Sequence, residues 1–139
     1  MAGYWPAAGD NTSLPDYERE YSGIWRSKQK VVFSRTLESV EWNSRLVKSD
    51  AAEEVVRLKE QGDGLMTVGG PTLAGSLIAA GLVDEFWVYL VPATLGGGKP
   101  MFGPQAAGLE LDLVEMRKFA SGGTLLHYRR RPQAAGEKQ

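Results

Sequence analysis

Two short stretches of this chain hold the groups that phosphate binding needs. In Val68-Gly69-Gly70-Pro71-Thr72-Leu73, two glycines stand between an apolar run and a helical pattern. Without Cβ atoms a ligand can approach the backbone there, and the unpaired N–H groups and dipole of a helix start favour an anion. The same Gly-Gly pair also suits a tight turn with no ligand. In Ser34-Arg35-Thr36, two hydroxyls flank a guanidinium at the end of another apolar run. The planar Arg fork can hold a phosphate monoester by charge-assisted hydrogen bonds, although a polar strand exit reads the same way. Together the two stretches suit a ligand with two separated phosphate groups. NADPH is one such ligand, with Arg35 on its 2′-phosphate and Gly69-Gly70 on its pyrophosphate.

Other chemistry is thin. Neither Gly-x-Gly-x-x-Gly nor a P-loop occurs, because Lys99 is followed by Pro100 and position 93 is Ala93. Leu95-Gly96-Gly97-Gly98-Lys99-Pro100-Met101-Phe102 permits close backbone approach, and Lys99 could attract an anionic substrate group, or the segment is a flexible connection. His127 is the one histidine and there is no cysteine, which excludes disulfides, thiolate nucleophiles and multi-His zinc sites within one chain. His127 is read as a structural side chain, and Trp5, Trp25, Trp42 and Trp87 as packing. No carboxylate sits in an apolar setting that marks it as a proton donor.

The 139 residues hold 16 basic and 17 acidic side chains, a net charge of −1, which gives no electrostatic footprint for nucleic acid or an anionic membrane. With 42% apolar residues and no run near the roughly 20 needed to span a bilayer, a globular chain follows. Met1-Ala2-Gly3-Tyr4-Trp5-Pro6 lacks the basic and apolar regions of a secretory signal, so a cytoplasmic location is expected.

The elements that must position these groups follow from periodicity. Pro6 to Pro15 reads as a loop, and Tyr17, Tyr21, Ile24 and Trp25 recur at helical spacing up to Ser27. Lys30-Val31-Val32-Phe33-Ser34 reads as a buried strand. Asp50-Ala51-Ala52-Glu53 has capping-box spacing and opens a helix that Gly62-Asp63-Gly64 ends. Leu65-Met66-Thr67-Val68 reads as a strand, then a helix with Pro71 at its first position and Gly81 just past its end. Phe86 to Val91 is apolar on both faces, as a strand covered by helices on either side would be. The order from Lys30 to Val91 is β-α-β-α-β, a parallel α/β arrangement with helical crossovers. Leu109 to Leu113 and Thr124 to Arg130, joined through Ser121-Gly122-Gly123, read as an antiparallel hairpin. One domain over residues 1–131 and a disordered tail over 132–139 are expected.

Val31-Val32-Phe33-Ser34-Arg35-Thr36-Leu37, Val68-Gly69-Gly70-Pro71-Thr72-Leu73-Ala74, Gly81-Leu82-Val83-Asp84-Glu85 and Leu95-Gly96-Gly97-Gly98-Lys99-Pro100-Met101-Phe102, in this order and spacing, closely resemble the dihydrofolate-reductase-like family. That family includes the reductase domain of the bifunctional riboflavin-biosynthesis deaminase/reductase. The resemblance implies a three-layer α/β/α fold with a mixed sheet and a C-terminal antiparallel hairpin, and NADPH bound across the sheet's carboxyl edge. Ser34, Arg35 and Thr36 match positions near the adenosine 2′-phosphate, and Val68, Gly69, Gly70, Pro71, Thr72 and Leu73 match positions at the pyrophosphate. It further implies hydride transfer to a small heterocyclic or carbonyl-type substrate, related to 5-amino-6-ribosylaminouracil phosphate, and a homodimer. Family members open with about 45 further residues ending in a Gly-Arg-x-Thr-Tyr motif, large against the size of a domain. Their absence here reads as N-terminal truncation. The alternative expectation is a noncatalytic nucleotide-binding or oligomer-forming fragment.

Overall fold

The computed structural model describes residues 2–62 and 64–132. They divide into two units, Met1–Ala51 and Ala52–Gln139. The expected tail lies outside the described residues from 133 onward.

The first unit carries helices α1 (Trp5–Ala8) and α2 (Asp16–Ser27) and strands β1 (Lys30–Phe33) and β2 (Ser44–Val47). Pro6 suits the first turn of α1, where a missing N–H costs nothing. The small side chains of Ala8 and Ser22 let α1 and α2 meet, and Ser22 Oγ donates to the Trp5 carbonyl at 2.6 Å. Around that contact Trp5 packs edge-on against Tyr21, and Arg26 donates to the Pro6 carbonyl and to Asp10. β1 and β2 pair in parallel from Lys30 opposite Ser44 to Phe33 opposite Val47. The Lys30 ammonium donates to the Trp25 and Lys28 carbonyls and lies 4.3 Å from the Trp25 ring centroid, which ties β1 to the end of α2. β2 was not expected, and the link to it, residues 34–43, is irregular. Trp42 and Asn43, both left-handed, form the turn into β2, with Asn43 Nδ2 donating to the Ser27 carbonyl at 2.7 Å.

The second unit carries α3 (Ala51–Gln61, which starts at the boundary), α4 (Pro71–Ala79), β3 (Glu85–Leu90), a 3-10 turn (Pro104–Ala106), β4 (Leu111–Lys118) and β5 (Thr124–Arg130). β5 is central, with β3 and β4 antiparallel on its two sides. The expected C-terminal hairpin is present, closed by Phe119 N–H to the Gly123 carbonyl at 2.9 Å, and β4 bulges between Leu113 and Glu115. Leu77 and Ile78 of α4, Phe86 of β3 and Leu125 of β5 are its buried apolar side chains, Phe86 and Leu125 on opposite faces of the sheet, and Phe86 meets Phe102 at 5.7 Å between ring centroids. α4 ends as expected at Gly81. Its φ of 74° allows Gly81 N–H to reach the Ile78 carbonyl and Leu82 N–H the Leu77 carbonyl.

Two expectations are corrected. Leu65–Val68 belongs to no strand, and Leu65 is 89% exposed. A four-residue apolar run becomes a strand only by pairing, and the sheet of the second unit is completed by β3, β5 and β4 alone. β3, read as an interior parallel strand, is an antiparallel edge strand with Trp87, Tyr89 and Leu90 exposed. The β-α-β-α-β order therefore does not occur as such. The fold is a mixed α/β arrangement of helices with one parallel pair and one antiparallel sheet.

Candidate functional site

The start of α4 leaves backbone donors without partners. Gly70 holds φ 90° and ψ 124°, a conformation that an L side chain strains to adopt, and it turns the chain into the helix. Pro71 fixes the first helical φ and has no N–H. The first helical hydrogen bond runs from Ala74 N–H to the Gly70 carbonyl at 3.0 Å. The N–H groups of Thr72 and Leu73 therefore have no acceptor within the helix, and no side chain caps them. A Cβ placed on Gly69 or Gly70 would meet nothing within 4 Å, so the backbone of these two residues is open to close approach. Val68, Gly70 and Pro71 form part of the wall of a groove of about 400 Å³ whose other side is Glu85, Phe86 and Trp87 of β3 and the loop Lys99–Phe102. Lys99, singled out for anion attraction, lines this groove.

At the end of β1 the three polar residues take different tasks. Ser34 N–H extends the ladder to the Val47 carbonyl at 3.2 Å, while Ser34 Oγ accepts from the Thr36 and Leu37 N–H groups at 3.3 and 3.2 Å. Ser34 thus holds the turn, as serine hydroxyls do at strand exits. Arg35 is exposed, with no side-chain hydrogen bond or ion pair among the described residues, and its fork is available to solvent or a ligand. Ser34, Arg35 and Thr36 belong to the first unit, and Val68 to Leu73 to the second.

Sequence reasoning missed Glu85. The β3–β5 register sets Trp87 directly opposite His127 and Glu85 opposite Arg129, so all four side chains share one face of the sheet. His127 Nε2 lies 2.9 Å from Glu85 Oε2 and Arg129 Nη2 lies 3.4 Å from Oε1. The His127 hydrogen bond, and less strongly Arg129 and Trp87, hold the Glu85 carboxyl below its ordinary range against the opposing effect of burial. The signal that could have found the pair was alternation: Glu85-Phe86-Trp87 and His127-Tyr128-Arg129 each place polar or aromatic groups two apart on a strand.

Residues 1–125 match the family described as the RibD C-terminal domain. The chain belongs to the RibD C-terminal domain family. It is 36% identical over 115 residues to the uncharacterized protein YyaP of Bacillus subtilis (strain 168), covering 82% of this chain and 61% of that protein. A stretch of 38 residues, 27% of this chain, is 53% identical to the riboflavin biosynthesis protein RibD of Escherichia coli (strain K12), of which it covers 10%. Among solved structures, the crystal structure of a Shewanella sp. PV-4 protein whose name assigns it to riboflavin biosynthesis matches with a TM-score of 0.67 and 26% identity, over 76% of this chain and 62% of that one. The chain thus spans about three fifths of the length of YyaP and of the Shewanella protein. The mixed α/β fold is similar to that of the RibD reductase-domain family, and no helix among the described residues is long and apolar enough to cross a membrane.

Proposed function

We propose that this RibD C-terminal domain protein is an NADPH-dependent reductase that acts on a small heterocyclic substrate, and that it works as a homodimer in the cytoplasm. The observation that carries this reading is the start of α4. Two unpaired N–H groups, a helix dipole and the open space over Gly69 and Gly70 give a dinucleotide pyrophosphate the donors it needs. Gly69, Gly70, Thr72 and Leu73 offer donors for the pyrophosphate, and the resemblance of Ser34-Arg35-Thr36 to the family motif assigns Arg35 to a 2′-phosphate that NADH lacks. NADPH when bound supplies the hydride. The protein's own share is to hold the dinucleotide, with Phe86 and Phe102 lining the groove beside it.

Titration with NADPH and NADH tests the reading. NADPH is expected to bind about tenfold or more tightly, because charge-assisted hydrogen bonds from one guanidinium contribute about 1.5–3 kcal/mol. Equal curves for the two nucleotides would reject the 2′-phosphate assignment. A second reading, a noncatalytic nucleotide-binding or oligomer-forming fragment, draws on the exposed edge of β3, where Trp87, Tyr89, Leu90 and Val91 are all uncovered. NADPH binding without oxidation by any pterin or aminouracil, together with self-association in light scattering, would favour it.

A further inference from the structure

We propose that residues 94–101 are a strap, hinged at Gly96-Gly97-Gly98, that gates the groove beside β3 and closes over an anionic ligand with a flat apolar body. The two ends of the strap are fixed. At one end, directly after β3, Ala93 N–H donates to the Val91 carbonyl at 2.8 Å. At the other, Phe102 packs on the buried Phe86 ring, and the 3-10 turn that follows is closed by Ala106 N–H to the Gly103 carbonyl at 3.0 Å. Gln105 of that turn lies against α4 at Gly75, with Oε1 3.4 Å from where a Cβ would stand.

Between these anchors the backbone is unsupported. Among the described residues, 94–101 make no hydrogen bond and no ion pair. A Cβ placed on Gly96, Gly97 or Gly98 would meet nothing within 4 Å, and Leu95 beside them is 89% exposed. Gly96 and Gly98 hold φ 69° and 149°, a range that glycine crosses without a Cβ clash, so the chain can swing there. A segment with neither backbone hydrogen bonds nor burial opens at little cost in free energy, and hinges at its base let it move as a unit.

What the strap carries sets its ligand. Residues 99–102 form one wall of the groove, and Pro71, Ala74, Ile78 and Phe86 are among the apolar residues of the rest. Lys99 is the one cation that lines it and has no ion pair among the described residues. Closure therefore brings a mobile ammonium and the Met101 side chain toward the occupant, which favours a negative charge joined to a flat apolar body. A dinucleotide has both features, and for that ligand the inference rests on the function proposed above.

Hydrogen–deuterium exchange of the full chain tests the strap with two probes: NADPH, and anilinonaphthalenesulfonate, an anionic aromatic dye that is no nucleotide. Fluorescence titration establishes separately whether each binds. In the free chain residues 94–101 should exchange about a hundredfold faster than β5. A saturating probe should slow them about tenfold and leave the hairpin turn at residues 120–123 unchanged. Lys99→Gln, on an exposed side chain, should keep the fold and weaken the bound probe about tenfold. Residues 94–101 as protected as β5 in the free chain, a bound probe that leaves their exchange unchanged, affinity within twofold in Lys99→Gln, or binding of neither probe would overturn the proposal. NADPH that fails to bind while the dye binds and slows the strap would sink the nucleotide reading alone and leave the strap standing.

Discussion

Replacing Gly69 and Gly70 by alanine, one at a time, separates a ligand site from a tight turn. At Gly70 the backbone sits at φ 90°, so a Cβ is strained there whatever the space, at a cost of roughly 1–2 kcal/mol of stability. For a domain of this size 1 kcal/mol moves the melting temperature by about 2–6 °C, so Gly70→Ala should melt several degrees lower. Gly69 has no left-handed φ, and a Cβ on it meets nothing within 4 Å. Gly69→Ala should therefore leave stability unchanged or raise it by about 0.4–1 kcal/mol through the unfolded chain. Nucleotide binding responds differently. At either position the methyl group fills the open space beside the Gly69-Gly70 backbone that the proposed pyrophosphate must approach. Each lost charge-assisted hydrogen bond is worth about 1.5–3 kcal/mol, so NADPH affinity should fall about tenfold to a hundredfold in both variants. Differential scanning calorimetry and fluorescence titration of NADPH read the two effects. Gly69→Ala that binds NADPH normally would refute the reasoning and leave Gly-Gly as a turn.

Arg35→Ala should reduce NADPH affinity to that of NADH, since the guanidinium makes no side-chain hydrogen bond or ion pair among the described residues that its removal would disturb; isothermal titration with both nucleotides checks this. Phe86→Ala removes a buried ring that packs against Phe102 and should cost about 3–5 kcal/mol in urea unfolding, a loss that a shallow surface ring would not give. On acidification, stability should fall as pH drops below the ordinary values of 4.5 for Glu85 and 3.8 for Asp112. Hydrogen bonding by His127 and by Arg131 holds these two carboxyls low in the fold. The unfolded chain therefore takes up protons first, and their stabilisation, present above those values, is lost below them. Glu85→Gln with Asp112→Asn should flatten that limb of a pH melting series.

Legibility in the sequence divided by the range of the signals. The helices α2, α3 and α4 and the closing hairpin were legible because their cues are local: the 3.6-residue spacing from Tyr17 to Trp25, the capping-box spacing at Asp50, Pro71 and Gly81 at the ends of α4, and Gly122-Gly123 in the turn. What failed depended on pairing. Leu65–Val68 and Phe86–Val91 have similar apolar texture, yet only the second found a ladder partner, in β5, about forty residues on, a separation that no local pattern encodes. β2 was missed because Ser44-Arg45-Leu46-Val47 alternates for only four residues and follows a left-handed Trp42-Asn43 turn rather than a glycine. Of the candidate site, the Gly-Gly helix start and Arg35 were legible as residue types. The Glu85–His127 pair was not, because the two are 42 positions apart and meet only through the β3–β5 register.

The central claim, that a dinucleotide's phosphates rest on the start of α4, is tested most directly by following backbone amides in nitrogen-edited NMR during addition of NADPH. The account predicts that the amides of Gly70, Thr72 and Leu73 shift most within the second unit, since these N–H groups gain a charged acceptor, and that inorganic pyrophosphate shifts the same amides more weakly. Saturating NADPH that moves other residues while leaving Gly70, Thr72 and Leu73 in place would contradict it.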